Sequence, residues 1–312
     1  MNLLAIEIGG TKLQLVLGDA SGAIRARRKL EVSRAEGAAG IRAQIARTVP
    51  ELRREAPLAA VGVGFGGPVD WRTGKICLSH QIEGWSEFDL AGWLGGIAGA
   101  PVFVDNDGNV AALGEARRGA GAGRRTVFYV TLGSGVGGGL IVDGAIYHGA
   151  APGEAEIGHV RLDRDGTIVE ARCSGWAVDG RVRAAAAAAP GGPLARRVSA
   201  SPGGEARHLA AALAEGDPLA ARIVEETAGD LAFGLSHAMH LFHPDVIVLG
   251  GGLSGLGEPL RAAVAAGLRG HLMEALVPTI DVRLTALGTD VVPVGALLLA
   301  ADRLAGAAET RR

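Results

Sequence analysis

The chain has 312 residues, of which 48% are hydrophobic and 21% are charged, and its net charge is −2. This composition is typical of a folded globular protein and excludes a disordered chain. The near-neutral charge argues against nucleic-acid and membrane-surface binding, and no run of about 18 apolar residues predicts a membrane span. The two cysteines, Cys77 and Cys173, are too few for a disulfide framework. We therefore expect a soluble cytoplasmic protein that is long enough for two domains.

The first third of the chain predicts alternating strands and helices. "LLAIEIGG", "LQLVLGD" and "AIRARRKLEV" indicate three strands joined by short turns. Ser33 and Glu36 fit a capping box, and a helical apolar stripe follows them. "LAAVGVGFGG" and "APVFV" indicate two buried strands, and residues Asn109 to Arg118 predict a helix. Strands that alternate with helices favour an α/β fold.

A second cycle begins with "RRTVFYVTLGSGVGGGLIVDGAIYHG" and repeats the opening pattern. "AIEIGGTKLQLVLGD" aligns with "YVTLGSGVGGGLIVD", which suggests a duplication with a cleft between two domains. Two unrelated glycine-rich hairpins are the alternative. A Pro/Gly/Ala-rich connector, "AAAAAAPGGPLARRVSASPGGEA", is followed by a predicted helix from Pro218 to Phe242. "PDVIVLGGGLSGLGEPL" predicts a strand, a glycine turn and a helix, and a last helix is predicted around Val294 to Ala305.

Three glycine turns follow strands, at Gly9–Lys12, Gly133–Gly139 and Gly250–Gly252. Glycine lets a ligand approach the backbone, and successive N–H groups in such turns bind anions. "GGTK" lacks the spacing of a P-loop, and "GSGVGGG" lies in a hairpin and opens no helix, which excludes a Rossmann motif. Together the turns indicate a nucleotide-binding cleft.

A polar cluster stands where a strand ends and a helix begins, in "VFVDNDGNVAALGEARRG". Asp105, Asn106, Asp107 and Asn109 occupy four of five positions. Asp and Asn form turns and cap helices, but a single such residue serves that purpose. The density of the cluster suggests a second, chemical role.

These segments resemble, in order, the ROK (repressor, open reading frame, kinase) family of the actin-like sugar-kinase superfamily. The matching segments are "IEIGGTK", "GFGGPVD", "VDNDGNVAALGE", "TLGSGVGGGLIVDGAIYHG", "AEIGHV" and "DVIVLGGGLS". The resemblance implies two actin-like (ribonuclease H-like) domains with a central cleft that closes on sugar and ATP. We assign residues 1–118 and 294–312 to the smaller domain and residues 119–293 to the larger one. It also implies transfer of the γ-phosphoryl group to a sugar hydroxyl, the 6-hydroxyl in glucokinase-type members.

By the same resemblance Asp107 is the catalytic base. A carboxylate within hydrogen-bond reach orients a sugar hydroxyl and accepts its proton as transfer proceeds, and an ordinary Asp pKa is expected to suffice. The implied sugar-binding residues are Gly67, Asn106, Asp107, Glu156, His159 and Glu170. The implied nucleotide-binding residues are Gly9, Gly10, Thr11, Lys12, Gly133, Ser134, Gly135, Gly250, Gly251 and Gly252.

Mg²⁺ is the expected cofactor with ATP, and Glu7, where the family usually has Asp, would orient a magnesium-bound water. The family zinc loop, C-x-C-G-x-x-G-C-x-E, is shortened here to "DGTIVE", so no zinc is expected. Asp165-Gly166 instead predicts a hairpin turn whose flanking strands hold His159 and Glu170.

The turn Gly9–Lys12 in "IEIGGTK" resembles the first phosphate loop of the family. We expect no helix-turn-helix domain ahead of this loop, no binding of nucleic acid or membranes, and a homodimer at the family level. The leading function is ATP-dependent hexose phosphorylation, with glucose as the first candidate. Three alternatives remain: a polyphosphate-dependent sugar kinase, a sugar-binding sensor without catalysis, and an actin-like chaperone ATPase. The sequence does not choose the sugar.

Overall fold

The computed structural model describes residues 1–55, 57–79, 82–151 and 155–309. Two five-stranded sheets and one two-stranded sheet carry the fold. The strands are β1 (Leu3–Ile8), β2 (Leu13–Gly18), β3 (Ile24–Leu30), β4 (Ala60–Phe65), β5 (Val69–Asp70), β6 (Lys75–Ile76), β7 (Val102–Asn106), β8 (Thr126–Leu132), β9 (Val136–Val142), β10 (Ala145–Ile146), β11 (Val246–Gly250) and β12 (Val282–Leu284).

The helices are α1 (Gly37–Glu55), α2 (Leu90–Ala98), α3 (Asp107–Arg118), α4 (Val169–Cys173), α5 (Gly175–Ala188), α6 (Pro193–Ala200), α7 (Leu209–Ala214), α8 (Pro218–Phe242), α9 (Glu258–Arg269) and α10 (Val291–Glu309). Short 3₁₀ turns, among them Ile157–His159, join several of them. None of the helices in the described ranges combines the length and the apolar character that a membrane span needs.

The first sheet has the order β3-β2-β1-β4-β7. β1, β2 and β3 pair antiparallel, whereas β4 pairs parallel with both β1 and β7. The register aligns Ile8 with Phe65 and Phe65 with Asn106, which are the last residues of the three parallel strands. The chain segments that leave β1, β4 and β7 therefore start at one edge of this sheet.

The second sheet repeats this arrangement, with the order β10-β9-β8-β11-β12 and parallel pairing of β11 with β8 and β12. The repeated strand order confirms the predicted duplicated α/β architecture.

The chain divides into two compact units: unit one holds residues 1–122, 139–155 and 289–312, and unit two holds residues 123–138 and 156–288. This grouping places residues 139–155 with the amino-terminal unit, whereas our predicted boundaries lie at residues 118 and 293.

Helix α10 packs against α3, β1 and β4 in unit one. Gly295 makes this close contact feasible, because a Cβ at that position would lie 1.8 Å from the carbonyl oxygen of Val110. The core of the unit combines the buried face of the sheet with α1 and α2. This packing fixes the strand ends, and with them the amino terminus of α3.

Three local predictions differ from the structure. α3 begins at Asp107, two residues earlier than predicted, because Asn106 caps it. The Pro/Gly/Ala-rich connector contains the end of α5 and all of α6, because its alanine run has high helix propensity and a proline starts α6. The predicted capping box at Ser33 is absent: the Ser33 side chain makes no capping hydrogen bond, and a 3₁₀ turn precedes α1.

Candidate active site

Asp107 is the first residue of α3 and directly follows β7. Its carboxylate lies against the backbone at the end of β4, where a Cβ on Gly66 would be 3.4 Å from Asp107 Oδ2 and 3.5 Å from Gly9 Cα. The parallel register thus brings Asp107 close to the first phosphate loop, Gly9–Lys12. Asp107 keeps part of its surface exposed, so a ligand can reach it.

Burial of the carboxyl group, with a smaller contribution from the nearby carboxylate of Glu7, raises the pKa of Asp107 to about 7. The backbone N–H of Gly108 and the charge of Lys12 oppose this rise. Desolvation disfavours the ionised form more than these groups favour it. From the sequence we expected an ordinary pKa for Asp107, whereas in the structure its pKa is raised to about 7. Such a group suits proton transfer at physiological pH.

Asn106 has a structural role. Its Oδ1 accepts hydrogen bonds from the backbone N–H groups of Gly108 (2.8 Å) and Asn109 (3.3 Å), which caps α3. Its Nδ2 donates to the carbonyl oxygen of Gly67 at 3.2 Å. These contacts use one of the two Nδ2 hydrogens, so sugar binding by Asn106 stays a prediction. Gly67 is held between Asn106 and the Leu78 carbonyl, from which an added Cβ would be 2.9 Å.

Asp105 and Asn109 form a buried network that the sequence did not predict. Asp105 Oδ1 accepts hydrogen bonds from the backbone N–H of Asn106 (2.9 Å) and from Asn109 Nδ2 (3.0 Å). Asp105 Oδ2 lies 2.7 Å from His148 Nε2. The sequence offered no signal for this partner, because His148 is a lone histidine after a predicted strand. Asp105 and Asn109 of the polar cluster are thus structural, whereas the carboxylate-bearing residue Asp107 is partly exposed.

Glu7 and Gln14 form a buried pair on neighbouring positions of β1 and β2. Gln14 Nε2 donates to Glu7 Oε2 at 2.5 Å, and Gln14 Oε1 is buried without a hydrogen-bond partner among the described residues. Burial raises the pKa of Glu7, and the Gln14 hydrogen bond and the Lys12 charge partly offset this rise. A carboxylate beside an unpaired amide oxygen fits a hydrated Mg²⁺ ion, which prefers oxygen ligands and retains its waters. Gln14 was missed in the sequence, where it is one polar residue in an apolar strand.

The first phosphate loop is a tight turn between β1 and β2, closed by a hydrogen bond from Gly9 N–H to the Lys12 carbonyl oxygen (2.8 Å). Thr11 and Lys12 are exposed, whereas Gly10 is buried. The Lys12 charge acts on both Glu7 and Asp107. The loop therefore offers a cation beside two carboxylates, which suits a site for a charged phosphate chain.

In unit two, the register places Gly250 opposite Thr131, so the turns after β8 and β11 leave the same sheet edge. Gly251 has φ +79°, and a Cβ there would lie 2.5 Å from the Leu132 backbone, so only glycine fits. The predicted nucleotide-binding residues of this unit thus lie in two neighbouring turns. They are Gly133, Ser134 and Gly135 in one turn and Gly250, Gly251 and Gly252 in the other.

The predicted sugar-binding residues of unit two gather around Val136. Glu170 Oε2 accepts a hydrogen bond from the Val136 N–H at 2.8 Å. The Glu156–His159 turn packs on the same residue, because a Cβ on Gly158 would be 2.1 Å from the Val136 carbonyl oxygen. His159 Nε2 lies 4.0 Å from Glu156 Oε2, and their side chains are 65% and 48% exposed.

The segment between His159 and Glu170 departs from the predicted hairpin. Leu162 N–H donates to the Thr167 carbonyl oxygen at 2.8 Å, which closes a short loop with Asp165 and Gly166 at its tip. Only an isolated bridge between Arg161 and Ile168 flanks it, rather than two strands. Glu170 lies on α4 instead, because the chain turns into a helix one residue after the bridge.

The residues in this region do not fit a zinc ion. Cys173 is buried, and its thiol donates to the Thr227 carbonyl oxygen at 3.6 Å. Desolvation, with a smaller contribution from the Asp230 charge, raises the pKa of Cys173 to about 12, so the zinc-binding thiolate is disfavoured. Within the described ranges, no three His, Cys, Asp or Glu side chains are grouped so that they could hold a metal ion.

Comparisons with known proteins match residues 3–303 of the chain to the ROK family. The glucokinase of Streptomyces coelicolor is 32% identical over 96% of this chain and 97% of its own length. The kanosamine kinase of Amycolatopsis mediterranei is 31% identical over 91% of each chain. The crystal structure of a ROK family glucokinase from Streptomyces griseus, in complex with glucose and AMPPNP, superposes with a TM-score of 0.85. It is 31% identical and covers 97% of this chain and 100% of its own.

The family match spans nearly the whole chain, and the Streptomyces griseus structure superposes over 97% of it. The chain therefore belongs to the ROK family, and it is a sugar kinase.

Proposed function

We propose that this protein transfers the γ-phosphoryl group of ATP to the 6-hydroxyl of a hexose, with glucose as the first candidate and Asp107 as the base. The observation that carries the proposal is the position of Asp107 at the amino terminus of α3, beside the first phosphate loop, with its pKa raised to about 7. A group that titrates near neutrality can accept the hydroxyl proton at physiological pH.

The predicted sugar-binding residues form one group within each unit. Asn106 and Gly67 lie beside Asp107 in unit one, and Glu156, His159 and Glu170 gather around Val136 in unit two. Carboxylates accept hydrogen bonds and a histidine ring can both donate and accept, which suits the hydroxyls of a hexose. The exposed side chains of Glu156 and His159 are available for these contacts.

The phosphate chain would lie along the backbone N–H groups of the glycine turns. When Mg²⁺ is bound, it neutralises the charge that develops on the phosphoryl oxygens. Glu7 and the Oε1 atom of Gln14 would hold its waters, since both are buried oxygen acceptors on adjacent strands. Lys12 would add a positive charge at this end of the site.

ATP as donor is supported by the likeness to the Streptomyces griseus glucokinase, which was crystallised with AMPPNP. Glucose is supported by the same structure and by the Streptomyces coelicolor glucokinase, whereas the kanosamine kinase indicates that an amino sugar belongs in any test.

The test is a coupled assay that measures phosphorylated sugar and ADP with ATP or polyphosphate as donor. The sugar panel holds glucose, mannose, fructose, allose, N-acetylhexosamines and an aminohexose. We expect glucose with ATP to give the largest kcat/KM. Turnover with polyphosphate alone would replace ATP as the donor. Binding of sugar with no turnover for any pair would favour the non-catalytic sensor, and ATP hydrolysis that no sugar stimulates would favour the chaperone-type ATPase. A homodimer and a cytoplasmic location stay predictions.

A further inference from the structure

A side-chain hydrogen bond without an assigned role lies beside Asp107 in unit one. His148 Nε2 and Asp105 Oδ2 are 2.7 Å apart, and their side chains are 9% and 2% exposed. The two residues are 43 positions apart in the sequence, so tertiary structure alone brings them together. A buried carboxylate needs hydrogen-bonding partners, because burial without them is strongly unfavourable.

Packing fixes the imidazole of His148 from one side. Its ring stacks on Trp71, with ring centroids 4.2 Å apart and an interplanar angle of 17°. The guanidinium of Arg303 lies over the Trp71 ring at 4.5 Å, and that of Arg72 at 5.2 Å. The stacking leaves the imidazole little rotational freedom, so Nε2 stays aimed at Asp105.

Asp105 in turn holds the backbone that carries the proposed base. Its second oxygen, Oδ1, accepts from the backbone N–H of Asn106 and from Asn109 Nδ2. Asn106 caps α3 and Asp107 begins it, so the contacts of Asp105 span the turn on both sides of Asp107. A shift of the Asp105 carboxylate would therefore move the Asp107 backbone directly.

We propose that His148 is a positioning residue, which acts through Asp105 to hold the carboxylate of Asp107 in register with the bound sugar hydroxyl. This inference rests on the proposed role of Asp107. In this role His148 touches neither the sugar nor ATP. A displacement of about 1 Å at a reacting group can lower a rate by about 10²-fold, so a residue at this distance can control kcat.

A purely structural histidine would behave differently. Removing it would lower the melting temperature but leave kcat unchanged wherever the protein is folded. A positioning residue instead lowers kcat at temperatures where the fold is intact, with little change in either KM.

The experiment compares His148→Gln, His148→Asn and His148→Leu. The Gln side chain can place an N–H donor near the position of Nε2, whereas Asn is one methylene shorter and Leu has no donor. Asn serves as a second polar variant if the Leu protein fails to fold. His240→Ala is the control, because His240 is an exposed histidine on α8 in unit two. Steady-state kinetics with ATP and sugar would be measured at least about 15 °C below each melting temperature, so that every variant is compared in its folded state.

We expect His148→Leu and His148→Asn to lower kcat by about 10- to 100-fold with both KM values within about threefold. His148→Gln should stay within about threefold of the wild-type kcat, and His240→Ala should match the wild type. Wild-type kcat in the folded Asn or Leu variant would overturn the inference, as would a Gln variant as slow as the Asn variant.

The wild type and Asp107→Asn, measured in parallel, separate this inference from the proposed function. An active wild type, an inactive Asp107→Asn and a fully active His148→Asn would reject the positioning role alone. An inactive wild type, or full activity of Asp107→Asn, would reject the proposed function and the positioning role together.

Discussion

The two units present their polar residues in opposite ways. In unit one, short hydrogen bonds hold the groups around Asp107: buried Glu7 pairs with Gln14, and buried Asp105 bonds to Asn109 and to the largely buried imidazole of His148. In unit two, Glu156 and His159 are exposed, and His159 Nε2 lies 4.0 Å from Glu156 Oε2. Under the proposed function, the fold therefore holds the reacting carboxylate of Asp107 in place, whereas the exposed side chains of Glu156 and His159 make their contacts when a sugar binds. Preorganisation of the reacting group lowers the activation barrier, and exposed contacts contribute to binding.

The largest effect should come from the fixed group. Asp107→Asn keeps the shape of the side chain but removes the base, so kcat should fall by at least about 10²-fold while sugar affinity changes by only several-fold. Isothermal titration with sugar and steady-state kinetics measure the two quantities separately. Near-normal turnover in the variant would show that Asp107 is not the base.

The pH dependence of kcat/KM should reveal the same group. Burial raises the pKa of Asp107 to about 7, and the base must be ionised to accept a proton. The value of kcat/KM for sugar should therefore rise about tenfold per pH unit below neutrality and level off above pH ~7.5. A profile of kcat/KM that stays flat from pH ~5.5 to ~8 would contradict this assignment. In Asp107→Asn the rise of kcat/KM with pH below neutrality should be absent.

The exposed half of the comparison predicts a binding effect. His159→Ala removes a hydroxyl contact worth roughly 1–3 kcal/mol, so the KM for sugar should rise about 5- to 100-fold while kcat changes little. The KM for ATP should not change, because the His159 side chain is largely exposed and its polar neighbour is Glu156 rather than a glycine turn. If the sugar KM is unaltered, His159 is structural.

Glu170→Ala sharpens that result. Glu170 accepts the Val136 N–H directly after the predicted nucleotide-binding residue Gly135, so this variant should raise the KM for both sugar and ATP. His159→Ala is its matched control, because it removes a sugar contact and leaves the loop contact in place. Equal behaviour of the two variants toward ATP would mean that the Val136 hydrogen bond does not order the loop.

Much of the fold and part of the site could be predicted from the sequence. Strand patterns, glycine turns and the duplication depend on short-range periodicity, and the structure confirms them. The pairing of His148 with Asp105 could not be predicted, because it depends on which residues the sheet brings together across 43 positions. The raised pKa of Asp107 was also missed, since it depends on burial and on the neighbouring Glu7 carboxylate, which the sequence does not give. The helical residues of the connector, which are the end of α5 and all of α6, were missed because the prolines and glycines beside its alanine run predicted a loop.

A smaller effect concerns stability. The folded pKa of Asp107 is about 7, above the value of about 3.9 for an unfolded chain, so between these values the folded state binds the proton and the unfolded state does not. The folded state therefore loses stability as pH rises from about 4 to 7. Asp107→Asn removes this loss, and its free energy of unfolding should exceed that of the wild type by about 1–3 kcal/mol at pH 8, allowing for partial solvent exposure, but not at pH 4. Urea denaturation at both pH values provides the measurement, and equal differences at both would contradict it.

The smallest expected effect is none: zinc removal should leave activity unchanged. In place of a metal, backbone contacts hold the turn that carries His159. The Val169 N–H donates to the Val160 carbonyl oxygen at 2.9 Å, and Gly158 packs against Val136. The thiol of Cys173 is buried with a raised pKa, so it is a poor zinc ligand. After prolonged treatment with a zinc chelator, kcat and the sugar KM should return to their starting values once Mg²⁺ alone is restored. Elemental analysis of the untreated protein is the control, and either one zinc per chain or activity that only zinc restores would show that a metal fixes this turn.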